Sequence, residues 1–200
     1  LLYPFANEGG DKVAAEQGYA HAQSNLGQMY AMGDGVLQNY KTAITWLTLA
    51  AEQSYPHAQF SLGNMYRLGQ GVSKDDKIAV KWYKLAAEQG YADAQSNLGL
   101  MYLKVNGVPQ DYNVALKWFK LAAEQGHNSA QFYLSTMYIS GKGLIQDYVY
   151  AHMWANISAF NGNKNAIKLR NVITKEMTPS DISNAQKLAR ECVRKKYEGC

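Results

Sequence analysis

The six residues "AAEQGY" occupy Ala14–Tyr19, and the chain rewrites them as "AAEQSY" at Ala50–Tyr55, "AAEQGY" at Ala86–Tyr91 and "AAEQGH" at Ala122–His127, 36 residues apart each time. A catalytic motif has no reason to recur at a fixed interval. A structural unit stacked on copies of itself does, and a period of about 20–50 residues signals a solenoid or a propeller. The repeats are framed as 19–54, 55–90, 91–126 and 127–162, preceded by a degenerate half-repeat over 1–18 and followed by capping helices over 163–200.

Each unit carries two helical patterns. In the first, Ala22, Gln23, Leu26, Met29 and Tyr30 recur identically in all four units, ending as Ala130, Gln131, Leu134, Met137 and Tyr138. At about 100° per residue these fall on one half of a helix and the variable positions on the other. Gly27 recurs as Gly63 and Gly99 but becomes Ser135. The second pattern repeats Ala43, Trp46, Ala50 and Ala51, which predicts an amphipathic helix burying an indole once per unit. Asn39, Asp75, Asp111 and Asp147 stand where an N-cap would accept bonds from the first free amides.

Glycines punctuate both joints. Gly35, Gly71, Gly107 and Gly143 lie between the helices, where positive φ turns the chain into an antiparallel hairpin. Gly18, Gly90, Gly126 and Gly162 close the units, with Ser54 the exception. Val105 replaces the glycine found at Gly33, Gly69 and Gly141, so the third hairpin is expected to turn differently. In "AAEQG" the small alanines let neighbouring helices approach and the glycine ends the helix. The fold class is therefore all-α, a superhelical α/α solenoid of helix-turn-helix repeats.

These residues resemble the Sel1-like repeat family, relatives of tetratricopeptide repeats. The match rests on "A-x-A-Q-x-x-L-G-x-M-Y-x-x-G-x-G-V" followed by "D-Y-x-x-A-x-x-W-x-x-x-A-A-E-Q-G", and the segment after Gly162 resembles the terminal segment of bacterial members. The resemblance implies a scaffold for protein complexes, in bacteria often at the cell envelope. Cysteine-rich members carry a disulfide in each repeat, but 19–162 contains no cysteine, so activities of that branch are not carried over.

Composition narrows the remaining possibilities. With 47% hydrophobic and 18% charged residues the chain is globular in type. No apolar run approaches the roughly 18–20 residues that span a bilayer. The start "LLYPFANEGG" lacks an initiator Met and a basic leader, and reads as processed or truncated. Up to Asn163 there are 11 Lys and Arg against 12 Asp and Glu, whereas from Lys164 onward there are 9 against 4. The basic excess belongs to the C-terminal segment, and reads as a solvated outer face before a nucleic-acid site.

That segment contains "TPSD", in which Thr178 would cap a helix running from Pro179 to Tyr197. Cys192 and Cys200 are the sole cysteines; in one continuous helix they would lie about 12 Å apart, beyond disulfide reach. A bond requires the helix to end near Tyr197 and the chain to fold back at Gly199; otherwise both remain free thiols. A bonded pair favours an oxidising compartment, periplasmic or secreted, over the cytoplasm.

No G-x-S-x-G, P-loop, H-E-x-x-H or C-x-x-C motif is present. The regular recurrence of Glu16, Glu52, Glu88 and Glu124 argues against an acid–base pair. Neither catalytic residues nor a metal or cofactor are expected. The candidate site is the variable face of the first helices, which in such solenoids lines the concave side. The first unit offers His21, Ser24, Asn25 and Gln28, and the second His57, Phe60, Ser61, Asn64 and Arg67. The third offers Asp93, Ser96, Asn97 and Leu100, and the fourth Ser129, Phe132, Tyr133 and Thr136. Phe60, Phe132 and Tyr133 break a polar face and suit interface anchors. The expected function is a monomeric, non-enzymatic scaffold for a protein or peptide partner; a cell-wall or small-ligand binder and, more remotely, a hydrolase are the alternatives.

Overall fold

A computed structural model describes residues 8–200, so the first seven residues of the half-repeat expected over 1–18 lie outside the described residues. Eleven helices and no strand make up the described residues. α1 (Glu8–Glu16) precedes the pairs α2 (Ala20–Met32) and α3 (Tyr40–Glu52), α4 (Pro56–Leu68) and α5 (Asp76–Glu88), α6 (Ala92–Lys104) and α7 (Tyr112–Glu124), and α8 (Asn128–Ser140) and α9 (Tyr148–Phe160). α10 (Lys164–Thr174) and α11 (Pro179–Arg194) complete the chain. The architecture is that of α/α solenoid repeats of 36 residues. It divides into two compact units, Leu1–Ala94 with Asn106–Val108, and Gln95–Val105 with Pro109–Cys200.

In the first unit α2 packs on α1, α3 and α4, and α4 on α3 and α5. The core between α3 and α4 joins Ala43, Leu47, Ala50 and Ala51 to Ala58, Leu62 and Met65. Asn39 accepts from the Thr42 amide, and Asp75 from the amides of Lys77 and Ile78, so each second helix begins on a satisfied cap. The alanines of "AAEQ(G/S)Y" supply the carbonyls that close the helix end. Ala14 and Ala15 accept from the amides of Tyr19 and Gly18, and Ala50 and Ala51 from those of Tyr55 and Ser54. Ser54 adopts φ 62°, so the serine keeps the left-handed backbone of the glycines it replaces.

The glutamine was unexplained by the sequence. Gln53 donates to Gln23 Oε1 and Gln89 to Gln59 Oε1, both at 2.8 Å. Gln23 and Gln59 in turn donate across the joint to the carbonyls of Ala15 and Ala51. The buried Gln23 and Gln59 amides thus tie each first helix to the second helix on either side of it, which satisfies polar groups that burial would otherwise penalise.

The indoles correct the sequence reading. Trp46, Trp82 and Trp118 are half-buried, and only Trp154 is buried. The deep position belongs to the next residue, Leu47, Tyr83 or Phe119. Each of these side chains fills a notch left by a helical glycine: a Cβ added to Gly27, Gly63 or Gly99 would stand 2.7, 2.6 or 2.9 Å from Leu47, Tyr83 or Phe119. In the last repeat the sizes are exchanged. Ser135 faces the stretch that carries Ala155, and its hydroxyl donates to Ala151 O at 2.7 Å.

In the second unit α8 packs on α7 and α9, and α9 also carries α10 and α11. Its core joins Phe119, Leu134, Met137, Met153, Trp154 and Ile157 to Ala189 and Cys192 of the terminal helix. Gln125 bonds Gln95 and Asn161 bonds Gln131, repeating the amide pairing. Val105 corrects the expected change of turn: its φ is 61°, against 76°, 70° and 65° for Gly33, Gly69 and Gly141. The backbone geometry is retained and the β-branched side chain is forced into the left-handed region.

Thr178 caps α11 as expected, accepting from the Asp181 amide at 3.2 Å. The helix stops at Arg194, three residues before the expected Tyr197, because Lys196 and Tyr197 take positive φ and turn the chain back. Tyr197 lies over Gly126, and its hydroxyl meets the Asn161 amide.

Candidate functional site

In the first unit the variable face is knitted from one first helix to the next. Ser24 Oγ lies 3.1 Å from His57 Nδ1, and Gln28 donates to Ser61 Oγ, which donates to the His57 carbonyl. Tyr55 stands between His21 and His57 at ring separations of 6.0 and 6.4 Å, and Tyr91 follows His57 at 6.1 Å. Burial lowers the His57 pKa from its ordinary value, against the opposing attraction of Asp93 and with a smaller repulsion from His21. A hydroxyl, an imidazole and a nearby carboxylate are the ingredients of a nucleophile relay. Ser24 is wholly buried, so its oxygen offers no side to an incoming substrate.

Beside this row a recess of about 440 Å³ opens between α2 and α4, its walls extending to Leu47 of α3. Gln28, Phe60, Ser61, Asn64 and Arg67 line it, five of the residues expected from the variable face, together with Met32, Met65 and Leu68. Phe60 is held from behind by Tyr83 and Tyr91, at ring separations of 5.9 and 5.2 Å. Tyr83, which the sequence reading passed over, donates to Asn64 Oδ1 at 2.7 Å and accepts from Arg67 Nε at 3.1 Å. The signal was a polar tip at a position that is Leu47, Phe119 or Ala155 elsewhere. Arg67 is the one charged residue lining the recess, and no carboxylate lies within ion-pairing distance of it among the described residues.

The other expected residues are placed less uniformly. His21 and Asp93 are exposed, and Asn25, Asn97, Leu100 and Ser129 are half-buried. Ser24, Ser61 and Ser96, three of the expected contact residues, are buried, so their side chains are not open to a partner. In the second unit Tyr133 stacks on Phe119 at 5.0 Å, and Phe132 meets its edge at 5.5 Å. Burial raises the Tyr133 pKa. Thr136 donates its hydroxyl to the Tyr133 carbonyl.

Cys192 and Cys200 form a disulfide-capable pair, their Cα atoms 5.6 Å apart once the chain has turned back. Among the described residues no cluster of His, Cys, Asp and Glu could hold a metal, and no helix is long and apolar enough to cross a membrane.

A sequence model of the Sel1 repeat matches residues 20–55, 56–91, 92–127 and 128–163, one residue downstream of the frame used above. Among solved structures, a protective antigen of uropathogenic Escherichia coli strains displaying an SLR fold is 42% identical with a TM-score of 0.78, over 81% of this chain and 35% of that one. A Sel1 repeat protein from Oxalobacter formigenes is 40% identical with a TM-score of 0.74, over 83% of this chain and 49% of that one. The chain thus spans about a third and about half of these two relatives. No curated protein matches it. The period, the caps, the glycine notches and the paired amides are features that all four matched segments share or vary in place, and on that basis the chain belongs to the Sel1 repeat family.

Proposed function

We propose that this chain is a protein-interaction module that takes a peptide or partner protein on the variable face of its first helices, with the recess between α2 and α4 as the anchor point. Sel1 repeat proteins are generally interaction scaffolds, and the single observation that carries the finer reading is the recess itself. It offers the aromatic ring of Phe60, which is packed on Tyr83 and Tyr91, and one guanidinium with no carboxylate within ion-pairing distance among the described residues, its Nε bonded to the Tyr83 phenol. An aromatic or aliphatic side chain beside a carboxylate fits those groups. His21, Asn25 and Asp93, and in the second unit Asn97, Leu100, Ser129, Phe132, Tyr133 and Thr136, are further contact candidates. The module acts as a monomer without catalysing a reaction.

A quantitative capture experiment with native protein tests this, comparing wild type with Phe60→Ala and Arg67→Ala. At least one binding protein captured directly by wild type should fall by about tenfold with either variant, as truncation of an interface anchor does. Equal capture of every partner by all three proteins contradicts the assignment.

We further propose that the protein works in an oxidising compartment, the bacterial periplasm or outside the cell, a reading that the Cys192–Cys200 pair supports. Mass spectrometry of the native protein after alkylation should show no modified cysteine until reductant is added. Two alkylated thiols without reductant would remove this part of the proposal.

A further inference from the structure

A second surface lies in the other unit and rests on different residues. Phe160 stands where the other repeats have Glu52, Glu88 and Glu124. Those glutamates are exposed, and Phe160 keeps the position: it is 80% exposed, a large aromatic in water where its own repeat register calls for a carboxylate. Beside it a groove of about 300 Å³ runs between the last turns of α9 and α11, at the lower end of the range for ligand pockets. Ile157 and Ala189 form its buried floor, and Phe160 and Val193 its apolar walls.

The groove has one charged lining residue and one polar one, Arg190 and Asn156. Arg190 lines the groove, and Lys187 and Arg194 stand exposed on the same helix. None of the three has a carboxylate within ion-pairing distance among the described residues. Asn156 closes the α9 side, its Oδ1 already accepting from Arg170 at 3.0 Å.

From this juxtaposition we infer that the α9–α11 groove docks an amphipathic helical segment of a partner protein, with apolar side chains seated over Ile157 and Ala189 and acidic side chains against Arg190 and its neighbours. The charge chooses the partner's sign. The recessed floor favours side chains inserted in rows over a lipid surface, since a bilayer meets protruding apolar groups and only Phe160 and Val193 stand outward. A groove between two helices receiving an apolar helix face is a recurring recognition mode. The inference goes beyond the recess between α2 and α4 and shares no residue with it.

The test uses a displayed library of random peptides about 16 residues long, enough for roughly four helical turns. Selection is against the full chain, with Phe160→Glu as counter-bait. That variant restores the residue of Glu124 to an exposed site, and its thermal melt should match wild type; if it does not, Val193→Glu carries the test in its place. Enriched peptides should carry apolar residues at helical spacing flanked by Asp and Glu. Their synthetic copies should bind about tenfold more weakly to Phe160→Glu and to Arg190→Glu, more weakly in high salt, and equally to Phe60→Ala/Arg67→Ala. No enrichment, enrichment without acidic residues, or equal binding to Phe160→Glu overturns the inference. So does binding to phosphatidylserine vesicles, or a dimer in sedimentation, that Phe160→Glu abolishes while peptides fail to bind.

Discussion

His152 occupies the place of Ile44, Val80 and Leu116, aliphatic in every other repeat. It is buried, and its Nδ1 has no hydrogen-bond partner among the described residues. Burial lowers its pKa, and Arg170 adds to the effect. The folded protein therefore takes up this proton at a lower pH than the unfolded chain, whose ring protonates near the ordinary value of 6.5. The unfolded state binds more protons, so stability falls as pH drops through that value. His57, lowered in the same direction, acts with the same sign. His152→Leu should stabilise the fold by about 1–3 kcal/mol at neutral pH by removing an unsatisfied buried group. Its advantage over wild type should widen towards pH 5; melts at two pH values check both.

The exchange of sizes between the first and second helices gives another residue-scale prediction. Gly99→Ser should destabilise by about 1–3 kcal/mol through overpacking against Phe119, and Phe119→Ala by about 3–5 kcal/mol through the space it empties. Together they rebuild the Ser135 and Ala155 arrangement, so the double variant should cost at least about 1 kcal/mol less than the sum. Chemical denaturation of the four proteins measures this. Additive losses would mean that the notch and its filler are not coupled.

At the scale of the element, the sequence revealed the helices through their caps and spacing, and the structure added how hairpins meet. Gly71 and Gly143 were legible as positive-φ turns, but their second role was not. A Cβ on Gly143 would stand 2.8 Å from the Tyr112 carbonyl oxygen, and one on Gly71 2.5 Å from Tyr40 Cβ. Each loop lies directly on the start of the preceding second helix. Gly143→Ala therefore combines left-handed strain with a backbone clash and should cost more than the about 1–2 kcal/mol of the strain alone. Val105→Gly should do the reverse, raising the midpoint of unfolding by relieving a left-handed β-branched residue. Spacing could not rank Trp46 against Leu47, because both lie on the apolar side and only the partner's glycine notch decides which goes deep. The early stop of α11 was likewise hidden, since Lys196 and Tyr197 are not residues that announce a left-handed turn.

For the whole molecule, the fold class was legible because one period wrote the same contacts four times. The proposed recess was legible only in part: five of its lining residues lie on the variable face, but the repeat leaves those positions unspecified, and Tyr83 behind them gave no periodic signal. Identity across repeats marks packing; Arg67, Tyr83 and Phe160 matter as departures from it. Stability in such a chain is a sum over neighbours, so removing one whole period should leave the repeated alanine, leucine and glutamine contacts of every joint in place. Deleting 55–90 joins Ser54 to Tyr91 in the register of the lost joint, whereas deleting 73–90 leaves two first helices in succession. The most direct measurement is the thermal melt of these two deletions by circular dichroism. The 36-residue deletion should remain helical and melt cooperatively at a reduced midpoint, and the 18-residue deletion should lose cooperativity. Equal behaviour of the two, or collapse of the in-register deletion alone, would contradict assembly by stacked, interchangeable repeats.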